Sequence, residues 1–416
     1  MGAAPWVAME RPGAQAARSR SVRPGASRRP GGQAADQPAD HENDDGREQQ
    51  SEETGEEHAR SVSERGGTGN RRGPGIPASR RRGGRAVRAI RAYNRATRAF
   101  QGEARGHVRR GGGRERDGPL VFEMRDLAKT YADGKEAVRG LSLTIRDGMF
   151  GLLGPNGAGK TTFLSMLVLA CEPTRGERIY DGLDAARPAN RPPIRRMIGY
   201  LPQDFAVIPH LSGIEYLEHC ARLRRVPLRG PELRRRALDL LDAVDLTQAA
   251  FRRASEYSGG MRRRLGIAQA LIHAPRLLVV DEPTAGLDPG ERINFRNLIA
   301  EIAEGTAVLL STHIVEDVEA TCSRLAIIGD GALLFDATPS DLLYAANRKL
   351  WDLPAAAGLP PGAVAIARRL TPAGELRAVV HSQAAPAGGT PREPTLEEAY
   401  SAFLAVRGLA AGEEEA

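Results

Sequence analysis

The 416-residue chain has room for two or three domains, and its 59 basic against 52 acidic side chains leave a net charge of +7. Three scattered cysteines exclude a disulfide framework, and no apolar run reaches the ~18 residues needed to span a bilayer. No basic start followed by an apolar core marks a secretory leader, so a reducing cytosolic compartment is expected. The charge is unevenly placed. Residues 1–118 hold 24 basic against 15 acidic side chains, whereas residues 119–416 hold 35 against 37. Only Lys129, Lys135, Lys160 and Lys349 are lysines. The arginine bias reads as high-GC coding more than as a selected basic surface.

In chain order, residues 1–118 are rich in Gly, Ala, Arg, Pro and Ser, with an acidic patch from Asp36 to Glu57. Such a segment buries too little apolar surface to offset its ordering entropy, so a disordered extension is expected, dispensable for stability and turnover. One stripe stands out. Val87, Ile90, Tyr93, Ala96 and Phe100 recur at helical steps, with Arg88, Arg91, Arg95 and Arg98 between them. It reads as a basic helix for a membrane surface or nucleic acid, or as a solvated, fraying helix, the second being preferred.

From residue 119 the texture is that of a folded domain, expected to run to 342. Val121–Met124 and Leu141–Ile145 alternate as half-buried strands do. Met149–Leu153, Ile179-Tyr180, Met197–Leu201, Leu277–Asp281, Val308–Ser311 and Leu325–Ile328 are short apolar strands. Helices are expected over Lys160–Cys171 and from about Pro289 to Ala303. Residues 213–255 switch to helical spacing, within an all-helical insertion expected over about 205–275. The fold class is therefore α/β, with a mainly parallel core sheet, an antiparallel β subdomain and an all-helical insertion, and the glycine-rich stretch Gly154–Thr162 makes it that of a phosphate-loop NTPase. Residues 343–416 form a small C-terminal accessory region, closed by a helix that Thr395 and Glu398 open as a capping box.

The stretch Gly154-Pro155-Asn156-Gly157-Ala158-Gly159-Lys160-Thr161-Thr162 matches G-x-x-x-x-G-K-[ST] between an apolar strand and a helix. Gly157 and Gly159 let the backbone curl so that N–H groups and a helix start point at polyphosphate. Lys160 is expected to reach the β- and γ-phosphates and the Thr161 hydroxyl to ligate Mg²⁺. Leu277–Val280 then ends in Asp281 and Glu282. An Asp at such a strand end holds Mg²⁺ through its shell, and the neighbouring carboxylate can deprotonate the attacking water.

Four further features follow: Gln203 after a strand, Tyr257-Ser258-Gly259-Gly260-Met261 at a helix start, Gly286-Leu287-Asp288-Pro289, and Ser311-Thr312-His313. In this order and spacing they resemble the ATP-binding-cassette (ABC) ATPases, from about Leu120 to Asp341. The resemblance implies roles position by position. Tyr131 would stack on adenine, Gln203 would sense Mg²⁺ and the water, Glu282 would be the general base and His313 would donate to the γ-phosphate. Ser258, Gly259 and Gly260 would hold the γ-phosphate of an ATP bound by a second subunit. The family's commonest signature, Leu-Ser-Gly-Gly-Gln, is here Tyr257…Met261 followed by three arginines. That variant, like the closing Pro394–Tyr400 segment, looks like the bacterial ABC-2 exporters.

The resemblance implies an ATP-hydrolysing subunit, with ATP and Mg²⁺, acting as a homodimer at the cytoplasmic face of the membrane. It would dock on a separately encoded permease through the helical insertion. Action on ribosomes or DNA is the disfavoured alternative, because neither a second cassette nor a long coiled coil is present.

Overall fold

The computed structural model of the protein describes Ile90, Asn94 and residues 121–409. The chain divides into two units, Met1–Gly75 and Ile76–Ala416, and every described residue belongs to the second. The expected disordered extension otherwise lies outside the described residues.

In chain order, β1 (Val121–Thr130) and β2 (Glu136–Arg146) form a hairpin, and β3 (Met149–Leu153) leads through the glycine-rich loop into α1 (Lys160–Leu167). The strands β4 (Arg175–Tyr180) and β5 (Leu183–Asp184) precede α2 (Arg191–Met197) and β6 (Ile198–Leu201). Three helices follow: α3 (Gly213–Leu223), α4 (Gly230–Ala243) and α5 (Gly259–Leu271). The chain returns to the sheet through β7 (Leu277–Asp281), α6 (Pro289–Ala303), β8 (Ala307–Thr312), α7 (Val315–Thr321), β9 (Arg324–Gly329) and β10 (Ala332–Ala337). The C-terminal region holds α8 (Pro339–Ala346), β11 (Leu350–Pro354), β12 (Val364–Leu370), β13 (Leu376–His381), β14 (Thr390–Pro391) and α9 (Leu396–Ala405).

The central sheet has the order β10-β9-β3-β8-β7-β6. All its neighbours are parallel except the antiparallel edge pair β9–β10. Every residue of β3, β7 and β8 is buried, as parallel strands covered on both faces require. An antiparallel sheet, β2-β1-β4-β5, lies beside it, and Phe122, Met124, Leu143 and Ile145 pair across its hairpin with their side chains in one shared core. The parallel direction brings the carboxyl ends of β3, β6, β7 and β8 to one edge, where the loops that follow them form a crevice.

Two expected boundaries move. Helix α1 ends at Leu167, not Cys171: Leu169 turns left-handed (φ 60°), and the amides of Ala170 and Cys171 both return to the Ser165 carbonyl. Its last carbonyls are held from β4, Met166 by the Arg178 guanidinium at 2.8 Å and Leu167 by the Tyr180 hydroxyl. Met197 closes a helix and does not open the strand, which starts at Ile198. The C-terminal region is an antiparallel sheet, β12-β13-β11-β14. Helix α9 opens at the expected Thr395–Glu398 capping box and lays Phe403 edge-on to Phe335 of β10, with ring centroids 5.7 Å apart.

The stripe at 87–100 is not solvated where it is described. Ile90 and Asn94 are both helical and buried, and the Asn94 amide donates to the Glu301 carbonyl at 3.1 Å, near the end of α6. Deleting residues 1–118 should therefore not be neutral. Losing one buried isoleucine and one buried hydrogen bond costs about 2–4 kcal/mol. In a domain of this size the midpoint should fall by several degrees, at about 2–4 °C per kcal/mol. Differential scanning calorimetry of the full and shortened chains checks this, an unchanged midpoint being the contrary result.

Candidate active site

The loop after β3 is shaped by its glycines. Gly159 takes φ 98° at the N-cap of α1, and a Cβ there would stand 2.3 Å from the Ala137 carbonyl, so only glycine fits. Helix α1 has no acidic residue in its first turn, which leaves its N-terminal amides and dipole to an external anion. Lys160 is buried and folds back over the loop, its ammonium donating to the carbonyls of Gly154 at 2.7 Å and Pro155 at 3.1 Å. Residues Asn156 to Thr162 line a cavity of about 520 Å³, within the range of small-molecule sites.

The other predicted side chains come to the same cavity from distant elements. Gln203 arrives from the loop after β6, Glu282 from the end of β7, and His313 from the end of β8. Glu282 has a left-handed backbone, φ 47°, unusual for a non-glycine residue, and its amide is pinned to the Ser311 carbonyl at 2.9 Å. This turn directs its carboxylate between two partners: His313 Nδ1 lies 2.7 Å from Oε2 and Lys160 Nζ 3.4 Å from Oε1. Tyr131 sits in the turn just past β1, 42% exposed at the cavity mouth, with its hydroxyl 3.2 Å from Thr162 Oγ1 and the Lys129 ammonium 5.5 Å from its ring centroid. It is thus a rim aromatic, not a half-buried strand residue.

Asp281 lies beneath the cavity. It is only 1% exposed, and neither carboxylate oxygen has a hydrogen-bond partner. Burial pushes its pKa up, opposed by the nearby hydroxyls of Ser311 and Thr161 and helped by the charge on Glu282. A buried carboxylate with only the Ser311 and Thr161 hydroxyls near it suits a cation, so the site fits Mg²⁺ held by Asp281 and Thr161 with Gln203 at the wall. A carboxylate kept for a ligand is a cost to the fold alone. Asp281→Asn should therefore melt a few degrees higher in Mg²⁺-free buffer while losing Mg²⁺-dependent turnover. A lower midpoint in that buffer would contradict this account of Asp281.

Ser258, Gly259 and Gly260 are not in this cavity. Ser258 is exposed and caps α5, its hydroxyl accepting from the Met261 amide at 3.2 Å. Other groups were not foreseen. Lys135, Ala137 and Ala285 line the cavity wall. Three of the chain's four lysines (Lys129, Lys135 and Lys160) therefore gather at one site in an arginine-dominated chain, a compositional signal that was available. Behind the wall, fully buried Asp317 on α7 accepts from the Thr284 hydroxyl at 2.6 Å and faces Arg296 at 3.6 Å, bracing the loop that follows Glu282.

A family model described as ABC transporter matches residues 138–285, from β2 to the loop past Glu282. An uncharacterised ABC transporter ATP-binding protein of Nostoc sp. is 38% identical over 239 residues, covering 55% of this chain and 70% of that protein. The chain belongs to the ABC transporter ATP-binding proteins. The daunorubicin resistance ATP-binding protein DrrA2 of Streptomyces coeruleorubidus is 41% identical to this ABC protein over 218 residues, covering 52% of this chain and 66% of that one. ABC transporter A family member 7 of Arabidopsis thaliana is 40% identical over 225 residues, and the chain spans about a quarter of its length (24%). Among solved structures, cbiO1 of Clostridium perfringens, part of the ABC transporter complex cbiONQ, shares the fold of this ABC protein. Its TM-score is 0.50 at 24% identity, covering 55% of this chain and 92% of that one.

Proposed function

We propose that this ABC protein is the ATP-hydrolysing subunit of a bacterial ABC-2 type export system, driving a separately encoded permease. The observation that carries the catalytic reading is the pairing of Glu282 with His313 and Lys160 at the wall of the phosphate-loop cavity. Glu282 is placed to take a proton from water attacking the γ-phosphorus, while His313, bonded to its other oxygen, fixes its orientation and faces the same phosphate. Lys160 and the α1 amides take up negative charge on the phosphates. Tyr131 offers a face to the adenine. When bound, Mg²⁺ would neutralise phosphate charge, with Asp281 and Thr161 as its nearest protein groups and Gln203 reporting on it.

The export reading rests on the Tyr257…Met261-Arg262-Arg263-Arg264 sequence and on the likeness to a drug-resistance ATP-binding protein. Among the described residues no helix is long and apolar enough to cross a membrane, so transport would need another polypeptide or segment. The helical insertion offers a place for one. A groove of about 380 Å³ lies between α3 and α4, where Phe251, 66% exposed, sits 5.7 Å from the Arg234 guanidinium. This protein, placed peripherally on the cytoplasmic face, would receive the permease there.

Affinity purification from detergent-solubilised cells tests the proposal. A multi-spanning membrane protein that co-purifies and raises ATP turnover on reconstitution is expected. Co-sedimentation with ribosomes, or binding to DNA, would overturn it in favour of the soluble alternative.

A further inference from the structure

Helix α5 touches the segments that flank the active site through four residues. In its second half, Gln269 donates to the Tyr200 carbonyl at 2.9 Å, on the strand that leads to Gln203. Gly266 packs so tightly that a Cβ there would stand 2.5 Å from Leu201 Cδ1 and 3.1 Å from Phe205 Cδ1. In its first half, the half-buried Arg263 guanidinium donates to the Pro283 carbonyl, the peptide immediately after Glu282. Burial lowers the Arg263 pKa, and among the described residues no carboxylate pairs with it, so its contact with that carbonyl is its principal compensation. At the first turn, Gly260 lies against the Glu291 carboxylate, a Cβ there meeting Oε1 at 2.5 Å. The start of α5 therefore bonds the peptide after Glu282 and packs against Glu291 in the first turn of α6, on either side of the loop between them.

We propose that Arg263 is a positioning residue that ties occupation of the α5 N-terminus to the placement of Glu282. This rests on the reading that Ser258, Gly259 and Gly260 receive the γ-phosphate of a partner subunit's ATP. A helix moves as a rigid piece, and Arg263 lies little more than one turn from Ser258. An anion docking at the helix start shifts the guanidinium, and the guanidinium carries the Pro283 peptide and the base beside it. Each subunit's base is thereby set by the nucleotide in the other composite site. The coupling is reciprocal, so binding at the two sites should be cooperative.

Arg263→Met keeps the packed stem and removes the donor, and Arg263→Lys keeps a donor. The full-length Met variant should still bind a fluorescent ATP analogue, but without the cooperativity of the wild type, and turn over about tenfold more slowly, as expected for a lost charge-assisted hydrogen bond made to a catalytic loop. Its Hill coefficient for ATP should fall to about one, and the Lys variant should recover most of both. A merely structural arginine would lower the melting midpoint without touching cooperativity. Wild-type turnover and Hill coefficient in the Met variant, or loss in proportion to stability alone, would overturn the proposal. Dimerisation driven by ATP in a Glu282→Gln background separates the two readings. If that dimer never forms, the composite site itself is wrong and the relay falls with it. If it forms and Arg263→Met still hydrolyses cooperatively, the relay alone is wrong.

Discussion

Glu282→Gln should bind ATP and leave it almost unhydrolysed, with turnover reduced about 10²–10⁴-fold, the usual contribution of a general base. The amide keeps the shape of the carboxylate and can still meet His313, whose Nδ1 lies 2.7 Å from Oε2, but it cannot take the proton from water. The left-handed backbone at Glu282 and its amide bond to Ser311 are retained, so the variant should stay folded. Trapped ATP should then accumulate as a dimer on size exclusion. Lys160→Ala fails differently. It removes the buried ammonium from the phosphate loop and should weaken nucleotide affinity itself, read by titration with a fluorescent analogue. Wild-type turnover in Glu282→Gln would sink the assignment of the base, and wild-type affinity in Lys160→Ala would sink the loop reading.

Ser258→Arg should abolish ATP-driven dimerisation and hydrolysis while leaving nucleotide binding by the isolated subunit intact. The separation follows from placement. Ser258 caps α5 on the exposed surface of the helical insertion, whereas the nucleotide cavity is walled by the phosphate loop, Gln203, Glu282 and His313. An arginine there fills the mouth of a second helix N-terminus without touching the first. Mixing Ser258→Arg with Lys160→Ala should restore about one working site per heterodimer, because each chain supplies the half that the other lacks. The mixed ATPase rate against ratio should peak near equal amounts. Mixtures as inactive as their parts, with both variants folded by circular dichroism, would show that the site is not shared between two copies of this chain.

The sequence by itself determined those parts whose residues are neighbours in the chain or lie at the ends of strongly apolar runs. The phosphate loop is contiguous, and each of its residue types has one physical reason to be there, so the cavity wall from Asn156 to Thr162 was legible, while Gly154 and Pro155 do not line it and instead offer their carbonyls to Lys160. Asp281, Glu282 and His313 were legible because β7 and β8 are buried on both faces and therefore read as unbroken apolar segments with polar ends. Helix α6, expected from about Pro289 to Ala303, runs over those residues, with Asp288 as its N-cap and Pro289 at its first position. Weaker signals mark two further elements: the β10 strand is only half-buried along most of its length and shows no clean alternation, and α8 is announced by its Thr338–Asp341 capping box alone.

Tertiary structure alone decided the rest, because contacts across long stretches of chain leave no local period. Helix α1 stops at Leu167 because Arg178 and Tyr180 on β4 take its carbonyls. Asp317 reads as one more acid of a polar helix until its full burial against Thr284 and Arg296 is seen. Arg263 is the middle of three identical side chains, and only its bond to Pro283 separates it from its neighbours. Ile90 and Asn94 sit in a stretch whose composition argues for disorder, yet both are buried, and Asn94 bonds the Glu301 carbonyl near the end of α6. Composition reports the average capacity of a segment to bury surface; a single side chain that finds a complementary carbonyl or cavity is decided by the partner, which lies elsewhere in the chain.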